Sequence, residues 1–463
     1  MTAIEKYYTT ETRLNLKENY ELAEYLSEYI TFYNTISRYV WRQLMSPDFR
    51  VKFNSNSKFN THICQKYNLL KRTANSIINE TKGKIKTLKA LKKYELTQLK
   101  RKVKSLEKKK RDGLEVINAL KPSVRDNKAT KPQLDKYIKM KTSVYYTSRK
   151  LNKKKNQLKV LKNELKSNKL KMCFGTKKLY DGQYRLKEND FKSHEGWYNT
   201  FVKNRDKNIF YLGSKDEPQG NQILQLRYDD EANIFIIKLR KEKKYSSESK
   251  YIQGTCDFKY QKEYLKERLK GDYPLTYRII RRGNKWYLQG MVIIEQTDYS
   301  TRSSEGVFGL DYNVGFIEIS ETNKSGNLIW QKRVNISTHG TSNKAKNELR
   351  TIVKNICTIA LEKGKDITIE DLNFKGTKGK TIKAKSKSGK SYNRMIHRFD
   401  YSRYKETFIG TSHRLGVGLI LVNPRNTSKI GQQNYSKRMK LNTHQAASFV
   451  IARRGQGFKD KLA

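Results

Sequence analysis

The sequence predicts an α+β protein of several domains, and three patterns along the chain indicate it. Residues 19–171 show helical periodicity, with apolar residues spaced by three, four and seven. Residues 172–304 contain short apolar or alternating runs bounded by turn residues, which are typical of β-strands. In residues 305–463 three strand-like runs precede alternating helices and strands, an order that favours a mixed sheet with helices packed against it.

The charge of the chain is strongly one-sided. Its 463 residues carry 98 Lys and Arg against 45 Asp and Glu, a formal net charge of +53 at pH 7. Because such an excess repels itself unless a polyanion neutralises it, nucleic acid is the favoured partner. A membrane surface is the weaker alternative, since no lipidation signal or amphipathic membrane helix stands out. Ribosomal proteins also fit the charge, but they are usually shorter.

The cysteines and the hydropathy of the sequence indicate the cellular compartment of the protein. The four cysteines stand singly, without a C-x-x-C pair, so neither a zinc site nor a disulfide framework is predicted. The first residues, "MTAIEKYYTTETRLNL", lack the apolar segment of a secretory signal, and no apolar run approaches the length that spans a membrane. We therefore expect an intracellular protein.

The helical region is predicted to contain a long basic hairpin. Residues 82–171 carry 31 Lys and Arg against 7 Asp and Glu. Two apolar stripes, each on one helix face, predict an antiparallel pair: Leu96, Leu99, Val103, Leu106 and Leu151, Leu158, Leu161, Leu165. Pro122 and Pro132 are predicted to break the helix between them. A solvated hairpin without a partner is the alternative, although a single sign of charge favours a polyanion.

The strand-rich middle region predicts a small β-barrel. Its runs are "ILQLRY", "NIFIIKL", "TYRIIRRG" and "KWYLQGMVII", with a hairpin turn at Arg282–Gly283–Asn284 between the last two. Residues 1–18 resemble a lone strand without a neighbour nearby in sequence. We assign this strand to the same barrel, which makes residues 19–171 a helical insertion.

The last region supplies strands, helices and two acidic positions. "VFGLDYNV", "FIEISET" and "LIWQKRVNI" are predicted strands, followed by an amphipathic helix that contains Leu349 and Ile356. "DITIEDL" is a short strand, residues 392–413 are helical, "GVGLILVNP" is a buried strand, and "LNTHQAASFVIARRGQGF" is the final helix. Asp311 lies near the end of one apolar strand, and Glu370 and Asp371 close another.

These acids suggest a cation site. A carboxylate in a buried strand is costly unless it is paired or binds a metal. If the two strands are neighbours, Asp311 and Glu370 meet and must share a proton or a cation. Oxygen ligands suit Mg²⁺ or Mn²⁺, and two-metal phosphodiester hydrolysis is the matching chemistry in a protein that holds polyanions. The alternative is that both acids only form salt bridges with the abundant basic residues.

Several ordered segments resemble a known family. "GLDYN", "ITIEDLNF" and "LVNPRNTSKIG" are similar to the RuvC-type nuclease core of TnpB, the transposon-encoded RNA-guided nuclease related to type V CRISPR effectors. "CFGTKKLY", "GSKDEPQGNQ", "YNRMIHRFDYSRYKE" and "HQAASFVIARRGQGF" resemble segments of the TnpB-related subgroup in the same order. The resemblance runs from about residue 172 to the C-terminus. The residues before it share only the general helical and basic character of the family, without a matching motif.

The resemblance implies a fold and an activity. It implies an RNase H-like (RuvC) nuclease domain at 305–463 and a wedge-type β-barrel of residues 1–18 and 172–304 with an inserted helical recognition domain. Asp311 and Glu370 would be the first two catalytic metal ligands, with Mg²⁺ or Mn²⁺ as the cofactor. The partners would be a guide RNA and target double-stranded DNA, read through a short duplex motif and base pairing. The location would be the nucleoid in the cytoplasm of a bacterial or archaeal cell.

Two departures from the family pattern stand out. TnpB usually carries two cysteine pairs of a zinc ribbon after the "NP..TS" segment, but "TSKIGQQNYSKRMKLNTHQ" has none, so no zinc is expected. The family's third catalytic residue is an aspartate in a D-x-N-A-A segment. Aligning Ala446 and Ala447 with its alanines puts Thr443 at that aspartate, with His444 one residue along.

Three interpretations of His444 remain open. It replaces the missing aspartate as the third catalytic residue and metal ligand. It faces phosphate or supports a ligand while catalysis is weakened or rerouted to another acid such as Asp460. Or it is structural, in a protein that binds without cutting. Asn442 and Gln445 form a predicted capping box, which places His444 in the first helical turn.

Basic residues near these motifs are predicted to bind nucleic acid. "FKGTKGKTIKAKSKSGKSYN" follows Glu370 and resembles a lid over the entering strand; the alternative is a disordered basic linker. The predicted contacts are Lys375, Lys378, Arg394, Arg398, Arg453 and Arg454. Three functions therefore compete: an RNA-guided endonuclease, an RNA-guided DNA-binding protein that no longer cuts and acts as a repressor or homing factor, and a basic structural RNA-binding protein.

Overall fold

Two units organise the chain. The structure, a computed structural model, describes residues 6–246, 249–271, 273–294, 299–337, 342–371 and 401–462. Lys6–Ile294 forms the amino-terminal unit, and Glu295–Ala463 falls in the carboxy-terminal unit. The predicted contacts Lys375, Lys378, Arg394 and Arg398, and the predicted lid, lie outside the described residues. No described helix combines the length and the apolar character that crossing a bilayer requires.

The amino-terminal unit contains two antiparallel sheets and eight described α-helices. Its strands are β1 (Lys6–Arg13), β2 (Asn208–Tyr211), β3 (Leu224–Asp229), β4 (Ile234–Arg240), β5 (Tyr251–Cys256), β6 (Thr276–Arg282) and β7 (Lys285–Ile294). Its α-helices are α1 (Tyr20–Met45), α2 (Phe49–Lys52), α3 (Asn56–Tyr67), α4 (Lys71–Arg125), α5 (Lys131–Lys166), α6 (Lys177–Asp181), α7 (His194–Arg205) and α8 (Lys262–Leu269).

The amino-terminal strand pairs with a strand more than 270 residues along the chain. β1 runs antiparallel to β7, with Lys6 opposite Ile294 and Arg13 opposite Tyr287. One sheet has the order β1-β7-β6-β2, and the other has the order β3-β4-β5. The hairpin predicted between β6 and β7 is confirmed, with Gly283 at φ +60 in its turn. The described strands therefore form two sheets, and a closed wedge-type barrel stays a prediction.

The predicted basic hairpin is confirmed. Salt bridges join Lys92 to Glu164 at 3.7 Å and Lys155 to Glu107 at 2.8 Å, so α4 and α5 run antiparallel. Half of the residues in the two predicted apolar stripes are buried, namely Leu99, Val103, Leu151 and Leu161. The predicted break at Pro122 is wrong, because α4 continues through Arg125. Pro132 does mark a break: it occupies the first turn of α5, where no N–H is needed.

The carboxy-terminal unit contains one mixed sheet. Its strands are β8 (Val307–Asn313), β9 (Phe316–Thr322), β10 (Leu328–Asn335), β11 (Asp366–Glu370) and β12 (Leu419–Val422), in the order β10-β9-β8-β11-β12. β10, β9 and β8 form the predicted antiparallel meander, and β8, β11 and β12 run parallel. Its helices are α9 (Ser342–Glu362), α10 (Tyr401–Leu415), α11 (Thr427–Gly431), α12 (Lys437–Met439) and α13 (Thr443–Gly455), with a π-helical turn at Gln432–Ser436.

Two predictions for this unit need correction. The prediction that "GVGLILVNP" is a buried strand is only partly right: Val417 and Val422 are buried, but β12 lies at the edge of the described sheet and Leu421 is 41% exposed. A run of apolar residues does not by itself show whether a strand lies in the centre of a parallel sheet or at an edge that other elements cover. The unit also includes residues before the predicted boundary at 305, because Thr301 donates a hydrogen bond to Asp366 at 2.6 Å and accepts one from Gly418 N–H.

Side-chain alternation along β8 separates a packing face from a polar face. Phe308 and Leu310 join the core formed with α9 and α10, which contains Val353, Tyr404 and Phe408. Because successive strand residues point to opposite faces, Gly309 and Asp311 face the other side, where α13 packs. Gly309 permits that packing: a Cβ there would collide with the Ser448 carbonyl and the Ala452 N–H of α13.

We expect Gly309→Ala to destabilise the protein, because the added methyl group would push α13 away from β8. Overpacking of this kind costs about 1–3 kcal/mol. The midpoint of thermal unfolding should fall. Gly83→Ala is the matched control, since its Cβ would meet nothing within 4 Å on helix α4 and should stabilise by about 0.5–1 kcal/mol. Equal midpoints for Gly309→Ala and the wild type would contradict this account of the packing.

Candidate active site

Asp311 and Glu370 lie at the same end of two adjacent parallel strands. Leu310 of β8 is in register with Ile369 of β11, and Asp311 and Glu370 are the next residues along. Leu310 and Ile369 both point into the core against α9 and α10. The two acids therefore share the opposite face, the one that α13 covers. This is the proximity that the sequence predicted.

The Asp311 carboxylate has two polar neighbours, and both contact the same oxygen. Asn313 Nδ2 donates to Asp311 Oδ2 at 2.8 Å, and His444 Nδ1 lies 3.0 Å from that oxygen. The Asp311 side chain is 12% exposed. Among the described residues, Oδ1 has no hydrogen-bond partner, so one oxygen of a nearly buried carboxylate remains available to a ligand.

Glu370 is held by a threonine and electrostatically coupled to Asp311. Thr427 Oγ1 donates to Glu370 Oε1 at 2.7 Å, and the Tyr401 hydroxyl donates to the Glu370 carbonyl. Burial, with a smaller contribution from the charge of Asp311, raises the pKa of Glu370 to about 7, although Thr427 and Arg454 oppose the shift. A raised pKa beside a second carboxylate means that negative charge here lacks compensation.

The other buried acids of this sheet do have cationic partners. Glu318 pairs with Arg333 at 2.7 Å, and Glu321 pairs with Lys363 at 2.6 Å and Lys365 at 2.7 Å. No described Lys or Arg forms a salt bridge with Asp311 or Glu370. In a chain of net charge +53, this exception is informative, because a buried charge without a partner is expensive.

His444 lies in the first turn of α13, as predicted. The capping box is confirmed: Asn442 Oδ1 accepts from the N–H groups of His444 at 3.0 Å and Gln445 at 2.9 Å, and Gln445 Oε1 accepts from Asn442 N–H at 3.0 Å. This cap fixes the helix start, so the imidazole reaches Asp311 across the sheet face. The ring also packs edge-on against Phe316, with centroids 5.2 Å apart.

The geometry restricts what the imidazole of His444 can do. Nδ1 faces an ionisable carboxylate that accepts when charged, so Nδ1 is assigned the hydrogen and Nε2 is left as the free acceptor. The side chain is 44% exposed, which gives Nε2 access to solvent or substrate. Within the described residues, no group of three or more His, Cys, Asp or Glu side chains is placed to hold a metal ion. A third-ligand role for His444 therefore stays a prediction.

The two predicted arginine contacts are engaged within the fold. Arg453 pairs with Asp460 at 2.9 Å and donates to the Gly326 carbonyl at 2.9 Å. Asp460, the alternative catalytic acid, is thus occupied by Arg453. Arg454 donates to the carbonyls of Asn423 at 2.5 Å and Arg425 at 2.9 Å. Contacts of either arginine with phosphate stay predictions.

Sequence reasoning missed two contributors to this site, Asn313 and Thr427, and assigned a third, Arg454, only to nucleic acid. Asn313 and Thr427 contact the two acids, and Arg454 holds the loop that leads to Thr427. Both polar residues do lie within motifs singled out in the sequence, "GLDYN" and "LVNPRNTSKIG". The motifs thus identified the segments, but only the fold shows which side chain in each reaches a carboxylate.

Comparisons with known proteins give distant likenesses. No family model matches the chain, and no curated protein matches it. RuvC of T. thermophilus in complex with a Holliday junction substrate is 11% identical, with 32% of this chain and 88% of that chain covered at a TM-score of 0.23. The Cas12i1 R-loop complex after target DNA cleavage is 9% identical, with 80% of this chain and 61% of that chain covered at a TM-score of 0.34. TM-scores this low add no weight to the role of any residue.

The pKa of Glu370 predicts how stability depends on pH in the metal-free protein. Between about pH 4.5 and 7, the folded state keeps a proton that the unfolded state has released, so stability falls as pH rises through this window. A shift from 4.5 to about 7 corresponds to roughly 3 kcal/mol. In EDTA, Glu370→Gln should therefore lose less stability than the wild type between pH 5 and pH 8, as measured by denaturant unfolding.

The matched control for this measurement is Asp371→Asn. Asp371 is the next residue, but Lys405 pairs with it at 2.5 Å and its side chain is 54% exposed. This variant should follow the wild-type dependence on pH. Parallel curves for Glu370→Gln and the wild type would show that the charge of Glu370 is compensated in solution.

Proposed function

We propose that this chain is a divalent-cation-dependent nuclease, and specifically an RNA-guided DNA endonuclease of TnpB type. The observation that carries the proposal is the meeting of Asp311 and Glu370 on one face of the sheet without a salt bridge to any described Lys or Arg. The guide RNA, the duplex motif and the target DNA are inferred from the resemblance of the sequence segments to the TnpB family. The geometry of the two carboxylates supports only the cation-dependent hydrolysis of phosphodiesters.

The two carboxylates fit a hard divalent cation. Mg²⁺ keeps several water ligands and is commonly held by one or two carboxylates together with substrate phosphates, so a third protein ligand is not required. Asp311 and Glu370 would hold it, using the oxygens that Asn313, His444 and Thr427 do not occupy. Bound there, Mg²⁺ or Mn²⁺ would polarise a phosphate and activate water. No zinc is proposed.

His444 is suited to proton transfer beside these acids. Its Nδ1–H donates to Asp311, which fixes the tautomer and the ring orientation, and its Nε2 is free to accept a proton from an attacking water. The same contact orients Asp311. We therefore assign His444 the role that an additional carboxylate has in the family pattern, either as a proton acceptor or as a ligand through Nε2.

A groove in the amino-terminal unit supports a polynucleotide partner. The groove has a volume of about 840 Å³ and is lined by Arg50 and four lysines of α4: Lys82, Lys86, Lys89 and Lys93. Spacings of four, three and four place these lysines on one helix face. Acids of α4 pair elsewhere, with Lys84 at 3.1 Å and Lys92 at 3.4 Å, and none of the described acids pairs with the groove lysines. Uncompensated cations in a row fit a phosphate backbone.

The second candidate is an RNA-guided DNA-binding protein that does not cut. Thr443, which is not a carboxylate, stands at the position of the family's third catalytic aspartate. The described residues also contain no group of three or more potential metal-ligating side chains. Such a protein would act by occupancy, as a repressor or homing factor, and it would keep the basic groove.

Cleavage of guide-matched DNA distinguishes the two candidates. The protein is purified after co-expression with the DNA that flanks its gene, and the RNA that copurifies is sequenced and used to design the target. Cleavage should require Mg²⁺ or Mn²⁺ and stop in EDTA. Asp311→Asn and Glu370→Gln should each slow cleavage by about 10³-fold, because a catalytic cation supplies several kcal/mol of transition-state stabilisation.

Asp371→Asn is the control, since it removes a neighbouring carboxylate that Lys405 neutralises. Its cleavage rate should stay within a few-fold of the wild type. Guided binding without cleavage by the wild type in either cation would instead establish the second candidate. If no defined RNA copurifies with the protein, RNA guidance would be excluded from both candidate functions.

His444→Ala should reduce the cleavage rate by at least about 10²-fold while target binding changes only a few-fold, since general acid–base groups contribute about 10²–10⁴ in rate. Single-turnover cleavage and gel-shift binding measure the two quantities. His444→Gln keeps a hydrogen-bonding side chain but removes the titratable nitrogen, and we expect it to be similarly slow. Unchanged cleavage in both variants would exclude His444 from the reaction.

A further inference from the structure

A polar cavity in the amino-terminal unit takes no part in the site described above. It has a volume of about 690 Å³, within the usual range of small-ligand pockets. Residues of α1, α7 and β6 line it. Four of the lining side chains are cationic, namely Arg38, Lys203, Arg205 and Arg281, and no acid is among the lining residues.

A buried aspartate holds two of these arginines in place. Asp206 is fully buried behind the cavity; Arg38 Nη1 contacts its Oδ1 at 2.5 Å, and Arg205 Nε donates to the same oxygen at 3.0 Å. Arg38 Nη2 also donates to Thr35 Oγ1 at 2.8 Å. One carboxylate therefore orients two guanidinium groups that line the cavity, while the total positive charge around it stays well above the negative charge.

Arg281 is a half-buried cation without a carboxylate partner of its own among the described residues. Its guanidinium lies 5.7 Å from the centroid of the Trp286 ring. Burial lowers the pKa of Arg281, and the charge of Asp206 opposes this shift only in part. A guanidinium that loses water without gaining an acid is stabilised when an anion binds beside it.

We propose that this cavity binds the phosphate of a nucleotide, with Arg281, Arg205 and Lys203 as its cationic contacts. Thr31 and Asn199 line the same cavity and supply neutral hydrogen-bond donors. Tyr198 is 50% exposed at the cavity and offers a ring for the attached base or sugar. Arginine suits this task because its planar fork binds two phosphate oxygens at once. The ligand is a nucleotide, either free or within a nucleic-acid strand.

Binding measurements on the full chain test this proposal without reference to cleavage. The protein is freed of copurified nucleic acid, and its affinity for a fluorescent single-stranded RNA decamer is measured by anisotropy across a series of salt concentrations. Free adenosine monophosphate and adenosine serve as competitors. Arg281→Gln should weaken RNA binding by about tenfold and reduce the salt slope by about 0.7, the contribution of one phosphate contact on a single strand.

Arg282→Gln is the matched control, because Arg282 follows Arg281, loses the same charge and pairs with Glu11 at 2.7 Å. It should stay within twofold of the wild type. Tyr198→Ala removes no charge and is expected to weaken binding about fivefold through lost stacking. The proposal would be overturned if Arg281→Gln and Arg282→Gln weakened RNA binding equally. It would also be overturned if Arg281→Gln bound RNA as tightly as the wild type.

The competitors identify the source of the phosphate. If adenosine monophosphate binds the wild type but not Arg281→Gln, and adenosine binds neither, the ligand is a free nucleotide. If Arg281→Gln weakens binding of RNA and adenosine monophosphate does not compete, the phosphate belongs to a nucleic-acid strand. Either result supports the cavity as the binding site. The measured quantity is affinity for RNA or a nucleotide rather than cleavage, so failure of the nuclease proposal leaves this one intact. Thermal unfolding checks that Arg281→Gln remains folded, and Arg281→Lys should recover part of the affinity.

Discussion

The close packing of α13 on β8 is the constraint on which the candidate site depends. A glycine at position 309 lets the backbone of the helix approach the strand, and a hydrogen bond between Ser320 and Ser448, at 2.5 Å, adds a polar contact on the same face. Two residues further along β8 comes Asp311. Because the capping box fixes where α13 begins, His444 reaches Asp311, and the helix therefore brings a residue 133 positions distant into the site.

Electrostatic balance in this sheet separates the acids that form salt bridges with Lys or Arg from the two candidate metal ligands. Glu318 and Glu321 are almost completely buried, and basic side chains neutralise both. Glu370 has a threonine instead, and its raised pKa reflects the burial and the second carboxylate that follow from parallel pairing of β8 with β11. A basic chain could have neutralised these acids easily. Their lack of a described Lys or Arg partner is the physical reason for assigning them to a cation.

Positive charge is arranged in distinct ways across the amino-terminal unit. On α4, lysines that face a groove have no described acidic partner, although lysines on other faces of that helix do. Around Asp206, a buried carboxylate orients arginines that line a cavity. We propose a backbone of repeated phosphates for the groove and a single phosphate for the cavity. Both follow from the placement of the few acids, which decide where the excess of cations stays uncompensated.

The sequence by itself determined the order of the strands in the carboxy-terminal unit, the basic helical hairpin, the meander, the capping box and the strand ends that carry Asp311 and Glu370, because these depend on local periodicity and on polar residues at strand ends. It did not determine that β12 lies at an edge or that α4 continues past Pro122. Nor could it show that Asn313 and Thr427 contact the acids, or that His444 uses Nδ1 to contact Asp311. Those features depend on which strands pair and how closely a helix packs, and contacts between distant residues leave no periodic signal in the chain.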